Sequence, residues 1–151
     1  MPSYIETIHA ATDLLAEAKL SPELRNEALY YRAKAYTKQK ADKKAMEDYR
    51  ELAKDTRNSY GAEAKYQVAQ SLYDAKEYAA AEKELLNYIE QSTPHAYWLA
   101  RSFVLLSDVY HATGKDLDAR QYLLSLQQNY QGNDDIESMI ESRLNKLKVE
   151  N

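Results

Sequence analysis

Asp108 and His111 are the pair of side chains in this 151-residue sequence whose types and spacing come nearest to acid–base or metal chemistry. They lie three residues apart, on one face of a helix. A catalytic or metal role needs further ligands converging on them, and the spacing supplies none. The alternative is a solvated helix pair worth a few tenths of a kcal/mol (~0.3). The histidines are His9, His95 and His111, and no HExxH pattern contains them. Three glycines cannot build a phosphate-cradling loop of the GxGxxG kind. The absence of cysteine removes disulfides, thiolate metal sites and cysteine nucleophiles. These residues imply neither an enzyme nor a cofactor.

Two other groups of side chains bear on binding. Lys34, Lys38, Lys40, Lys43 and Lys44 form a basic run opposed only by Asp42. Such a run can meet phosphate or an acidic partner, or be the solvated tip of a helix hairpin. No aromatic residues interleave it as a base-stacking platform would require. Tyrosine is the more unusual feature, with 14 Tyr against one Phe and one Trp. A tyrosine ring packs while its hydroxyl finds a polar partner, which suits half-buried surfaces. The net charge of −4 gives no general attraction to nucleic acid or to anionic membranes.

The elements that must position these residues are helices. A 44% hydrophobic and 29% charged composition is that of a soluble globular domain, and three Gly with three Pro argue against an all-β fold. No apolar run approaches the ~20 residues of a membrane span. The start, MPSYIETIHAATDLL, lacks the basic-then-apolar pattern of a signal peptide. Apolar residues three and four apart predict a helix over residues 3–19, with Tyr4, Ile8, Ala11, Leu15 and Ala18 on its stripe. Ser21–Pro22–Glu23 starts a second helix running to about Lys38. A third is expected from Asp42 to Thr56. Gly61–Glu90 reads as a helix pair turning at Asp74–Glu77. Thr93–Pro94 repeats the Ser21–Pro22 start, and that helix ends at the Thr113–Asp116 turn. Leu117–Tyr130 follows, and Asp135–Leu147 closes the set through Ile136, Met139, Ile140, Leu144 and Leu147.

The pairs repeat. Small residues recur at Ala33, Ala69 and Ser107, at intervals of 36 and 38. Ala45, Ala81 and Ala119 follow the same intervals, as do the large residues Tyr49, Leu85 and Leu123. Ala10 and Leu14 fit 35 residues before Ala45 and Tyr49. Facing small side chains let two helices approach closely while bulky neighbours fill the flanks.

VAQSLYDAKEYAAAEKEL and LLSDVYHATGKDLDARQYL resemble the tetratricopeptide repeat, a helix–turn–helix unit of ~34 residues. AKAYTKQKADKKAMEDY is a weaker copy, with Arg32 in place of the usual Leu and Asp42 in place of an aromatic. The resemblance implies an all-α fold: a right-handed α-solenoid of tetratricopeptide-like hairpins, about eight helices, with a C-terminal capping helix. It implies one domain over residues 1–151: a second helix of a truncated repeat at 3–20, repeats at 22–57, 59–91 and 94–130, and the capping helix at 134–148. The chain thus looks like the C-terminal end of a longer array. SPELRNEALYYRAKAY, GAEAKYQVAQ and TPHAYWLARSFVLLSDVY are similar to the last repeats of large bacterial proteins of this family, which often carry export signals. That similarity implies a parent protein in the periplasm or cell envelope, with the cytoplasm as the alternative.

In such arrays the first helix of each pair lines a concave groove. The resemblance places Tyr30, Lys34, Lys38, Tyr66, Gln70, Tyr73, Asp74, Arg101, Asp108 and His111 there, along with Glu27, Thr37, Glu63 and Val104. Tyr30, Tyr66 and Tyr73 would be anchors, unless they pack between helices instead. Tyr30/Lys34, Tyr66/Gln70 and Val104/Asp108 stand where some members carry a Lys/Asn clamp for a C-terminal carboxylate, so that mode of binding is not expected. The implied function is a non-enzymatic scaffold that holds a peptide or helix of a protein partner, without nucleic acid or membrane insertion. The alternative is a structural end piece with no ligand of its own. The stripe on the first helix is expected to be left partly uncovered, which would allow self-association.

Overall fold

The computed structural model describes residues 3–147, and among these the secondary structure is eight α-helices with no strand. They are α1 (Tyr4–Leu15), α2 (Pro22–Lys38), α3 (Asp42–Leu52), α4 (Ser59–Asp74), α5 (Tyr78–Glu90), α6 (Ala96–Ala112), α7 (Asp116–Asn129) and α8 (Ile136–Leu147). No helix of the described residues is long and apolar enough to cross a membrane.

Three starts follow from side-chain capping. The Ser21 hydroxyl accepts from the Leu24 amide at 3.2 Å, and Pro22 occupies the first helical position. Ser3 caps α1 by accepting from the Glu6 amide, and Asn58 accepts from the Gly61 amide at 2.8 Å. Three boundaries differ from the sequence reading. α1 stops at Leu15 and α3 at Leu52, about four residues early. Past both ends, amides bond back three residues instead of four, which tightens and ends the last turn: Ala16 and Glu17 to Asp13 and Leu14 after α1, and, beyond Ala53, Lys54 and Asp55 to Glu51 and Leu52 after α3. α6 begins at Ala96, not at Pro94. The Thr93 hydroxyl accepts from the His95 amide two residues on, forming a local turn before the helix, and Ser92 ahead of it has φ 53°.

The three hairpin turns are the same object built three times. Lys40, Lys76 and Gly114 occupy the left-handed region, with φ 60°, 62° and 78°, at the 36- and 38-residue intervals of the sequence repeat. Each donates to the carbonyl three back: Thr37, Tyr73 and His111. Each following residue donates to the carbonyl five back: Ala41 to Tyr36 (2.8 Å), Glu77 to Leu72 (2.9 Å), Lys115 to Tyr110 (2.7 Å). This is the Schellman ending, which satisfies the last carbonyls of the first helix. The carbonyls of Ala41, Glu77 and Lys115 then accept from Ala45, Ala81 and Ala119, which starts the next helix without a side-chain cap.

The described residues pack as two compact units that part between Val68 and Ala69, a point within α4. In the first, α1 packs on α2 and α2 on α3; in the second, α5 packs on α6, α6 on α7, and α8 on both α6 and α7. All nine repeat positions are buried: Ala33, Ala69, Ser107, Ala45, Ala81, Ala119, Tyr49, Leu85 and Leu123. Ala10 is the exception, being exposed on α1.

Two departures within the first unit have physical reasons. A Cβ at Gly61 would overlap the carbonyl oxygen of Asp55, so α4 can start against the end of α3 only with glycine there. Arg32, which breaks the apolar pattern beside Ala33, is compensated across the hairpin. Its guanidinium holds Asp48 by two bonds of 2.8 and 2.7 Å and donates to the Thr12 hydroxyl at 3.1 Å. Asp48 is itself buried.

Candidate functional site

In the first unit the basic and aromatic residues of α2 converge on one carboxylate of α4. Glu63, only 8% exposed, accepts the Tyr30 hydroxyl at 2.9 Å on one oxygen and faces the Lys34 ammonium at 3.0 Å on the other. That ammonium also lies 5.1 Å from the centre of the Tyr30 ring. Burial pushes the Tyr30 phenol above its ordinary pKa. Burial works against the Lys34 charge, but the bonds to Glu63 and Tyr30 outweigh it and raise its pKa. Tyr30 further packs against Tyr31 and Tyr60, at ring separations of 5.3 and 4.7 Å. Tyr30 and Lys34 are thus engaged with their own fold, and Lys34 is not an uncompensated cation. Lys38 is exposed.

Tyr66 corrects the sequence reading. It is 5% exposed, so it presents no face to solvent and cannot serve as a surface anchor. Val104 is buried likewise, and the Thr37 hydroxyl bonds back to the Ala33 carbonyl at 2.9 Å.

In the second unit, four of the sequence-derived residues share one pocket of about 280 Å³. Gln70, Tyr73, Asp108 and His111 line it with Ser107, Arg143, Lys146 and Leu147. The spacing of Asp108 and His111 suggested a mutual pair, but each has a different partner. Asp108 is held by the Arg143 guanidinium through two bonds of 3.2 Å, and His111 Nδ1 lies 2.8 Å from an Asp116 oxygen. Gln70 donates to Asp74 at 2.9 Å. The Tyr73 ring meets the Tyr78 ring edge-on at 5.5 Å, and burial raises its pKa, with the Asp108 charge acting in the same direction. The Lys146 ammonium has no carboxylate partner among the described residues. Among the described residues no group of His, Asp and Glu has the arrangement of a metal site.

Arg101 lies outside this pocket. It donates to the Tyr97 hydroxyl at 2.9 Å, which donates in turn to Asp135 at 2.9 Å. A larger cleft of about 500 Å³ sits at the junction of α7 and α8, lined by Gln127, Tyr130, Gln131, Gly132, Asn133, Ile136, Glu137 and Ile140. Its lining has no cation and no set of converging ionisable groups, so size alone does not make it the better candidate.

Arg143 and Lys146 are the site residues that sequence reasoning missed. The signal for Arg143 was present. Ile136, Ile140 and Leu147 are the buried residues of α8, and Arg143 falls on the same stripe, four before Leu147 and three after Ile140. A charge on an apolar stripe needs a nearby partner of opposite sign. No family model, curated protein or solved structure matches the chain.

Proposed function

We propose that the chain is a non-enzymatic protein-interaction module of tetratricopeptide-like hairpins stacked as a right-handed α-solenoid. It holds a segment of a partner protein in the pocket between the end of α4, α6 and α8. The observation that carries this reading is the pocket itself, where Gln70, Tyr73, Asp108 and His111 come together with Lys146, which has no carboxylate partner among the described residues. The three matching Schellman turns, at the intervals of the sequence repeat, support the assignment of repeat type. A polar pocket with one aromatic wall and one spare cation suits an extended peptide bearing a carboxylate.

The second reading is a structural end piece. It is favoured by α8, whose outward residues Glu137, Ser138, Glu141, Ser142 and Asn145 are all polar and exposed, as a terminal cap requires. A photo-crosslinking amino acid at Tyr73, compared with one at Glu141, separates the two. The binding reading predicts adducts with one partner segment from position 73 and none from position 141. Equal or absent labelling at both positions refutes it in favour of the end piece.

A further inference from the structure

We propose that the open face of α1 is a docking surface for a partner helix of the α2 kind, one carrying an arginine directly before a small residue. The argument is internal to the first unit. α1 and α3 share the pattern Ala-x-x-Asp-large: Ala10, Asp13 and Leu14 correspond to Ala45, Asp48 and Tyr49 at an interval of 35. In α3 all three are buried. There α2 lies on the helix, and Arg32, the residue before the fully buried Ala33, reaches Asp48 with both guanidinium bonds.

In α1 the same three residues are uncovered. Ala10 and Asp13 are exposed and Leu14 is half-buried. The opposite side of α1 is already used, since Ala11 is buried and Thr12 accepts from Arg32. The Asp13 carboxylate has no hydrogen-bond or ion-pair partner among the described residues. α1 therefore repeats the small residue, the carboxylate and the bulky neighbour of an occupied face, while its carboxylate lacks the arginine.

Charge selects the occupant. Glu6 and Asp13 fall on one stripe of α1 with Ala10, and both are exposed. A second copy's α1 laid across Ala10 would bring like charges together, whereas a helix with a cation at the arginine position would neutralise them. A small residue beside that arginine lets the axes approach over Ala10, as Ala33 does in α2.

The probe is a helix-stapled peptide of the Pro22–Lys38 sequence, titrated into the full chain by fluorescence anisotropy. The expected result is saturable binding that weakens about tenfold or more with Asp13→Lys in the protein, and equally with Arg32→Glu in the peptide. Combining the two reversals should restore affinity to within about threefold. Asp13 is exposed, so the variant should keep its fold, which circular dichroism checks. Four results overturn the proposal. The first is no binding by the unaltered pair up to about 1 mM peptide. The second is affinity indifferent to Asp13→Lys, the sign of a peptide exchanging into the site of the chain's own α2. The third is a double reversal that fails to restore binding. The fourth is a dimer in sedimentation velocity that Ala10→Glu abolishes, which would make the occupant a second copy.

Discussion

Two lysines stand where the fold asks for glycine, and exchanging them should stabilise the protein. Lys40 and Lys76 hold φ near 60°, and the equivalent turn position is glycine only at Gly114. The left-handed region costs an L-residue about 1–2 kcal/mol, because Cβ crowds the following carbonyl. Glycine removes that strain but widens the unfolded ensemble, which returns part of the gain. The net expectation for Lys76→Gly is a gain of about 0.5–1 kcal/mol, or a rise in Tm of roughly 2–4 °C for a chain of this size. Lys40→Gly should gain as much or slightly more, since it also thins the crowd of lysines around it. Gly114→Ala is the reciprocal test. Nothing lies within 4 Å of a Cβ built at Gly114, so its cost, about 1 kcal/mol, is backbone strain alone. The control is Lys83→Gly, on the exposed side of α5, where glycine should cost about 1 kcal/mol in helix propensity. Urea titration followed by circular dichroism measures all four, with unchanged m-values confirming that one transition is compared. If Lys76→Gly destabilises as Lys83→Gly does, residue 76 is not in the left-handed turn, and the threefold identity of the hairpins fails with it.

Four other outcomes are expected. Gly61→Ala should cost roughly 3 kcal/mol or more, or prevent folding, because the new methyl meets backbone oxygen rather than a movable side chain; a loss as small as that of Gly114→Ala in thermal unfolding would contradict the close approach. Asp48→Asn should cost about 3 kcal/mol by leaving Arg32 without its counter-charge, while a paired Arg32→Leu/Asp48→Leu change should cost far less; a double-mutant cycle with no coupling would refute the pair. Asp108→Asn should lose about 1 kcal/mol or less, since the pair with Arg143 is partly exposed, but should speed hydrogen exchange in α8 more than in α5. Burial, aided by the Asp134 hydrogen bond, pushes the Tyr130 phenol up to about 12, so its contribution to stability should be complete below pH 10 and be lost as pH rises toward 12; an absorbance titration in which Tyr130→Phe removes an early rather than a late-ionising tyrosine would overturn this.

What the sequence discloses here is local, and what it conceals is assembled at a distance. α2, α5 and the start of α3 were legible because a Ser–Pro cap and the 3.6-residue stripe act within a few residues. Thr93–Pro94 misled because the same two residue types also make a hydroxyl-closed turn, and the choice depends on the Ser92 backbone ahead of it. The helical face shared by Asp108 and His111 was legible, but their partners were not. Arg143 lies 35 residues from Asp108, and no periodicity within α6 says that α8 will be laid over it. The resemblance places Tyr66 among the anchors with packing between helices as the alternative, and its burial is the alternative, because helical spacing does not distinguish a buried tyrosine from an exposed one.

The equivalent positions of the three hairpins show why the frame is easier to read than the site. The backbone device is constant, with the same left-handed residue and the same two turn bonds at 40, 76 and 114. The side chains set on that device are not. Arg32 corresponds to Val68 and Leu106, and Asp48 to Glu84 and Tyr122. In the first hairpin the pair is an ion pair between half-buried Arg32 and buried Asp48. In the third, Tyr122 packs instead against the Phe103 and Tyr110 rings, at 5.7 and 5.6 Å. An ion pair and an aromatic cluster fill the same place because the fold requires only that the place be filled and its polar groups be paired. The hairpin geometry therefore fixes the repeat without fixing the chemistry, and under the binding proposal recognition would come from side chains that the repeat does not constrain. The Lys146 ammonium in the α8 pocket and the Asp13 carboxylate on α1, neither with an ion-pair partner among the described residues, are two such side chains, opposite in charge. A partner that engaged both would have to present an acidic segment to the first and a basic helix to the second. Loss of only one contact on charge reversal at Lys146, with the α1 contact intact, is the expected mark of two separate surfaces.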